Sequence, residues 1–306
     1  MKIKQLIKKS IRQKTLFIDI FGYLLIKLGF VDKYLAGQLT MYKSYLWIKK
    51  HFEKDLNFIE DRFLKKSVGE AVEKQIWICW FQGMKEAPQI VQECYKSVCY
   101  WMKDWKITVI TAENMSEYVK FPDYIINKWK DGIISDTHFS DLLRLELLIQ
   151  YGGLWLDSTT YLTGPIPLYI LNSNFFVYRN GWMDMEMINM GSWLMYSKYK
   201  KNIILCETQC LLYKYWEKYN YIKNYFLMHI FFRIVTDKNP KLWEQVPMFN
   251  HIDSHLLMQE LTKQYNESRL IQITQLTSIH KLTYKVEILN GTTIEKLGTL
   301  YKNNRI

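Results

Sequence analysis

The chain has 306 residues, 49% hydrophobic and 16% aromatic, which is enough apolar material for one large core. Six prolines, thirteen glycines and no internal repeat exclude a low-complexity or disordered scaffold. Net charge is +11, but residues 1–75 hold 16 basic and 8 acidic side chains and so carry +8 of it, whereas a nucleic-acid binder would spread charge over a reading surface.

The chain opens with MKIKQLIKKSIRQK, six positive charges and no negative one. Such an arm is either solvated or drawn to an anionic membrane face, at roughly 1 kcal/mol per basic residue. From Thr15 to Val31, Phe17, Phe21, Leu24, Leu25 and Leu28 recur at helical spacing. The longest uncharged run there, IFGYLLI, is seven residues, against about twenty for a membrane span. Asp19 and the lack of a small-residue cleavage site argue against a signal peptide. This helix either lies in the bilayer interface or packs on the main domain. The expected location is cytoplasmic, peripheral at the inner face of the plasma membrane. Five cysteines without a C-x-x-C pair fit that compartment and predict neither a disulfide framework nor zinc.

The pattern changes at Gln75, so residues 1–74 are expected as a basic helical region and 75–306 as the catalytic domain. IWICWF (Ile76–Phe81) reads as a strand ending in a Gln82-Gly83 turn. Pro88 opens a helix through APQIVQECYKSVCYWMKDW, and KITVIT (Lys106–Thr111) is a second strand. FPDYIINKWKDG is a helix stopped by Gly132. SDLLRLELLIQYGG predicts a helix with Ser140 as N-cap and Gly152 at its end, followed by LWLD as a third strand. FFVYR (Phe175–Arg179) is a further strand, and Asn202 to about Lys263 is mostly helical. NYFLMHIFFRIV, from Asn224, is apolar enough to be a core helix or a lipid-facing one. Strands alternating with helices predict an α/β domain with a largely parallel sheet.

In such sheets the ligand crevice lies beyond the carboxyl ends of the strands. Asp157 and the Gln82-Gly83 turn both fall there. A carboxylate at that place either starts a turn or marks a site, because a buried one costs desolvation unless a charge meets it. Asp141 and Arg144, three apart, share one face at the first turn of a helix that is apolar nearly all round. Together with Asp157 they suit sugar hydroxyls and phosphate oxygens. His138 is as suited to local capping as to ligand contact. His251, Asp253 and His255 have metal-like spacing, but a helix start accounts for them better.

FSDLLRLELLIQYGGLWLDSTTYLT resembles the core of the DXD-type sugar transferases of glycosyltransferase family 32, in particular the capsular polysaccharide synthesis branch. The shared features are the S-D-x-x-R helix, the Y-G-G turn and W-[IL]-D-x-T. The resemblance extends upstream through IWICWFQG, the APQIV helix and DYIINKWKDGIIS, and downstream to IHKLTYK.

It implies a GT-A-like fold, a Rossmann-like nucleotide-sugar-binding domain with helical N-terminal and C-terminal additions. It also implies a nucleotide-sugar donor, UDP-linked by expectation, a Mn²⁺ or Mg²⁺ ion and retention of anomeric configuration. By position, Asp157 is the first acid of the D-x-D, and with Asp141 and Arg144 forms the expected catalytic set. Asp141 and Arg144 would hold the donor hexose. Trp77, Trp80, Gln82, Gly83 and Gly153 would border the donor, with Lys281 on its diphosphate. Thr159 replaces the second acid, so Asp157, Thr159 and His280 are the expected metal ligands, with a hydroxyl as the poorer one.

Glu146 is a weak candidate for a backside nucleophile and is better read as pointing into the fold or to Arg144, so front-face attack by the acceptor, assisted by the leaving phosphate, is the default. The implied reaction moves a hexose to a lipid-linked glycan acceptor in capsular or exopolysaccharide biosynthesis, with peripheral contact to anionic membrane and no nucleic-acid partner. Thr159 keeps open a catalytically silent scaffold that binds nucleotide-sugar or polysaccharide. A basic peripheral membrane protein without sugar chemistry is the third alternative.

Overall fold

The computed structural model describes residues 3–63, 72–180 and 187–302. Three helices come first: α1 (Ile3–Gln13), α2 (Leu16–Lys27) and the 31-residue α3 (Lys33–Phe63). Then follow β1 (Gln75–Cys79), α4 (Gln89–Trp101), β2 (Lys106–Ile110), α5 (Met115–Tyr118), α6 (Asp123–Lys130) and α7 (Asp136–Gln150). Next come β3 (Gly153–Leu156), β4 (Thr160–Leu162), α8 (Leu168–Leu171), β5 (Phe175–Arg179) and β6 (Met190–Ser197). The chain continues with α9 (Ile203–Lys218), α10 (Leu227–Lys238), α11 (Pro240–Glu244), α12 (Leu256–Glu260), α13 (Glu267–Leu276), β7 (Ile279–Lys281) and α14 (Thr293–Leu300).

The central sheet has the order β2-β1-β3-β6-β5. β2, β1 and β3 run parallel, each joined by helical crossovers, and β6 and β5 complete the sheet antiparallel. This is the expected α/β class, with more antiparallel pairing than the sequence suggested. β6 (MGSWLMYS) escaped the sequence reading although every residue in it is buried. Its Gly and Ser residues interrupt the apolar run that marks a central strand. β4 and β7, three residues each, form a separate antiparallel hairpin-like pair.

The sheet is covered on both faces. Alternate residues of the strands, Trp77, Trp155, Val177 and Met195, face a core that holds α7, α9 and α10. Their neighbours Ile76, Ile78, Leu154, Leu156, Phe176 and Leu194 face the opposite core. This two-sided burial is why the strands read as continuous apolar runs. NYFLMHIFFRIV supplies α10, a core helix with Phe231 and Phe232 at 0% exposure.

The N-terminal region is not a free arm. The distal half of α3 buries Ile48, Phe52 and Leu56 in the same core as α9 and α10, and Phe52 meets Phe231 edge-on at 5.2 Å. The other end of the α2–α3 hairpin stands clear of the body. Phe30 is 74% exposed and Leu28 and Tyr34 are exposed beside it, and the exposed face runs back along α2 through Leu24 and Phe21 to Phe17, 90% exposed at the start of the helix. Asp19, the single acid of α2, accepts hydrogen bonds from Thr15 and Thr40 at 2.7 Å each and so is spent between the helices. No helix among the described residues is long and apolar enough to cross a membrane.

Candidate active site

The cap of α7 lies five residues before the expected one. Ser135, not Ser140, is the N-cap, its Oγ accepting from the His138 backbone N–H, and Asp141 and Arg144 therefore sit beyond the first turn. Gly152 (φ +66°) ends the helix in the left-handed region as expected, just past Tyr151. Gly153 (φ +90°) follows at the start of β3, where a Cβ would meet the Gln75 carbonyl oxygen at 2.5 Å. Two successive glycines thus turn the chain from α7 straight into the sheet.

β3 ends at Leu156, and Asp157 both starts a turn and marks a site. Its carbonyl accepts from the Thr160 N–H at 2.8 Å, while its half-buried carboxylate collects three donors. Trp155 Nε1 donates to Oδ1 at 3.0 Å, Arg144 Nη2 donates to the same oxygen at 3.3 Å, and Lys281 Nζ donates to Oδ2 at 2.8 Å. Burial works to raise the pKa of Asp157, but Lys281, Arg144 and these hydrogen bonds outweigh it and hold the carboxyl below the usual range.

Arg144, 4% exposed, is fixed from three more sides. Nη1 donates to the Ser192 carbonyl at 3.0 Å and to the Ser192 hydroxyl, Nη2 lies 3.4 Å from Asp141 Oδ1, and the guanidinium stacks over Trp155 at 5.1 Å. Burial pushes Asp141 up to about 6 against the pull of Arg144. The cluster therefore holds two cations and two carboxylates, one of which titrates close to neutrality.

A cleft of about 530 Å³ opens over this cluster. It brings together Trp80 and Gln82 from the β1 turn, Arg144 from α7, Asp157 and Thr159 after β3, and Lys281. Sequence reasoning missed Tyr284, whose ring meets Trp80 edge-on at 5.5 Å to form an aromatic wall. It also missed Asp136 and Thr137, because α7 was started too late. The indole N–H of Trp80 is buried without a hydrogen-bond partner among the described residues.

Three expected donor contacts lie elsewhere. Trp77 is 2% exposed, donates to the Gly152 carbonyl at 2.9 Å and packs between Tyr118 and Tyr151 in the core. Gly153 sits at the far end of β3 from Asp157, and its role is close packing against β1. Gly83 (φ +85°) closes the turn behind Trp80 rather than lining the cleft.

The expected cation does not fit this donor set. His280, in β7, is 0% exposed, and its Nε2 pairs with Thr163 Oγ1 at 2.9 Å. Side chains alternate along a strand, so His280 and its neighbour Lys281 face opposite ways. Burial drops the imidazole pKa to about 3 and keeps it neutral. Hence His280 is corrected from metal ligand to core residue. The space between Asp157 and Thr159 holds the Lys281 ammonium, which donates to Thr159 Oγ1 at 2.7 Å as well as to Asp157. No group of three His, Cys, Asp or Glu side chains among the described residues is arranged for a metal. Hard divalent cations favour several oxygen ligands with carboxylates among them, and here one carboxylate already answers two protein cations.

The remaining candidates are structural. Glu146 points from α7 to α9, accepting from Tyr213 Oη at 2.9 Å and from Gln150 and Gln209. His138 caps locally, with Nδ1 on Ser135 Oγ and Nε2 against the Tyr225 carbonyl at 3.1 Å. Asp253 and His255 form a single 3₁₀ turn before α12.

Fold and site together define an α/β protein of glycosyltransferase-like kind, its polar cluster set at the carboxyl ends of the strands. The chain belongs to the capsular polysaccharide synthesis protein family, matching it over residues 30–303. It is also 32% identical over 102 residues to the O-glycosyltransferase braB of Annulohypoxylon truncatum, a stretch that takes in 29% of this chain and 24% of that one. Glycosyltransferase afumC of Aspergillus fumigatus is 27% identical over 115 residues, 34% of this chain and 29% of that one. The match thus spans about a quarter of the length of these curated relatives. Among solved structures, the PaToxG glycosyltransferase aligns over 67% of this chain and 84% of its own, at 14% identity and a TM-score of 0.37.

Proposed function

We propose that the protein is a retaining glycosyltransferase that moves a hexose from a nucleotide-sugar donor, UDP-linked, to a lipid-linked oligosaccharide in capsular or exopolysaccharide biosynthesis. The observation that carries this reading is the strand-end cluster of Asp157, Arg144, Asp141 and Lys281 under a cleft of donor size in a capsule-synthesis chain. Trp80 and Tyr284 offer flat surface for the base, and Asp157 and Asp141 offer acceptors for ribose and hexose hydroxyls.

As the bond from the anomeric carbon to the diphosphate oxygen breaks, its electron pair passes to the leaving diphosphate. Lys281, with Arg144 behind it, supplies the positive charge that stabilises that oxygen. The acceptor hydroxyl bonds to the anomeric carbon on the same face and gives its proton to the departing phosphate. Glu146 is committed to α9, which favours this front-face course over a protein nucleophile. No step requires a divalent cation.

Peripheral attachment to the cytoplasmic face of the membrane belongs to the same proposal. Its support is the apolar tip of the α2–α3 hairpin, beside the exposed lysines Lys27 and Lys33.

The test is release of nucleotide from a panel of UDP-, GDP- and CMP-sugars in Mn²⁺, Mg²⁺ or EDTA, beside Asp157→Ala. One donor should be hydrolysed slowly, and the variant should lose about 10²-fold or more. Tight binding without release, even with membrane extract added, would favour the silent scaffold that Thr159 keeps in view. If no donor binds, the proposal is wrong.

A further inference from the structure

A second cavity, of about 620 Å³, lies at the root of the α2–α3 hairpin, away from the strand-end cluster. Lys14, Lys43, Lys50 and Lys223 converge on it, and Trp47 and Phe17 are among its apolar walls. No acidic side chain among the described residues lines it. No ion pair among the described residues engages any of the four lysines. Asp19, the acid nearest in the chain, is taken up by Thr15 and Thr40.

Lys223 is the unusual member, because it is only 2% exposed. Its ammonium donates to the Gln13 carbonyl and lies over the Trp47 ring at 4.9 Å. Burial, with Lys14 beside it, lowers its pKa to about 8 against the opposing pull of Asp19. A buried cation that makes no ion pair, with other cations beside it and the nearest carboxylate already bonded to two threonines, is an arrangement an anion completes.

The place of the cavity narrows the anion. Its walls join lysines to apolar side chains, and Phe17 on its rim begins the exposed apolar face of α2 that Phe21, Leu24 and Leu28 continue toward the hairpin turn. A free anion would use only the lysines, whereas an amphiphile would use both sets. The segment between α9 and α10 links the cavity to the donor cleft. On one side Arg12 donates to the Asn220 carbonyl at 2.7 Å and Gln13 to the Ile222 carbonyl at 3.0 Å. On the other, the Tyr225 carbonyl meets His138 in the first turn of α7, whose Asp136 and Thr137 line the cleft.

We infer that this cavity binds the phosphate or diphosphate headgroup of the long-chain lipid that carries the acceptor glycan. Its chain runs along the hairpin toward the bilayer and its sugar faces the donor cleft. The inference rests on the transferase reading for the acceptor's role. The cationic and apolar walls stand without it.

The probe is farnesyl diphosphate, titrated into the whole protein by calorimetry beside inorganic diphosphate, farnesol and vesicles of phosphatidylcholine with or without phosphatidylglycerol. Farnesyl diphosphate should bind saturably, and at least about tenfold more tightly than diphosphate or farnesol alone. Lys43→Glu with Lys50→Glu should weaken it about tenfold or more. Both side chains are exposed and unpaired, so the fold should survive. Nucleotide binding at the strand-end cluster should stay within about twofold.

Equal affinity for inorganic diphosphate would overturn the inference in favour of a plain anion site. So would farnesyl diphosphate binding that ignores the double variant. Retention on phosphatidylglycerol vesicles without any farnesyl diphosphate binding would reduce the feature to surface attraction and overturn it too. Farnesyl diphosphate bound by a protein that handles no nucleotide sugar would sink the transferase reading alone and leave a lipid-phosphate site.

Discussion

Lys281 lies across the candidate site with its ammonium on both Asp157 and Thr159, where the family resemblance suggests a metal ion. In the proposed reaction this fixed positive charge takes the place of a cation at the leaving diphosphate. Lys281→Met should therefore lower turnover about 10²–10³-fold, with Lys281→Arg recovering part of it, in steady-state nucleotide release. The wild-type rate in EDTA should stay within about twofold of the rate in Mn²⁺. Loss of all turnover in EDTA would return the role to a metal.

Asp141 gives the residue scale a pH dependence. Its folded pKa of about 6 lies above the ordinary value of 3.8, with burial as the main cause. The folded state thus holds this proton more tightly than the unfolded one. Its stabilising contribution is complete below about pH 4 and is lost as pH rises through 6. Wild type should lose about 3 kcal/mol of unfolding free energy relative to Asp141→Asn between pH 4 and pH 7, by urea titration at each pH. A flat difference would mean that Asp141 is ionised throughout.

At the scale of elements, the junction from α7 to β3 carries the site, and two of its residues have opposite tolerances. Gly153 needs a positive φ and has no room for a Cβ, so Gly153→Ala should cost about 2 kcal/mol or more and loosen the β1–β3 pairing. Ser135→Ala removes only an N-cap, about 1 kcal/mol. Thermal unfolding of the two variants should separate them clearly.

The same junction shows what the sequence made legible. Apolar runs between turn residues located β1, β2, β3 and β5, and the S-D-x-x-R helix located Arg144 and Asp141 correctly relative to Asp157. The start of α7 was misplaced because Ser135 and Ser140 are equally good caps by composition, and only the chain's path from Ile134 selects the first. β4 and β7 were invisible, since three residues carry no period. Their pairing brings Lys281 to Asp157 across 124 positions, a contact no local pattern encodes. The same short strand turned His280 inward, which motif position could not reveal.

On the scale of the whole molecule, the two ends of α3 have different fates. The distal end is locked into the core by Ile48, Phe52 and Leu56, so Phe52→Ala should cost about 3–5 kcal/mol and loosen the hairpin's attachment. The proximal end, with α2, presents aromatic and aliphatic side chains to the outside. Burying one phenylalanine in a bilayer interface is worth about 1.5–3 kcal/mol. Phe21→Glu with Phe30→Glu should therefore lower co-sedimentation with anionic vesicles by more than about tenfold, with donor hydrolysis in solution unchanged. Undiminished sedimentation would leave the basic arm as the sole attachment.

The long closure between Asp157 and Lys281 also bears on how the protein is made. Asp157 and Arg144 are synthesised well before β7, so a nascent chain holds the carboxylate and the guanidinium long before the Lys281 ammonium that bridges Asp157 and Thr159. Premature termination between Asp157 and Ile279 would leave that carboxylate to Arg144 and Trp155 alone, with the hairpin partner of β4 missing.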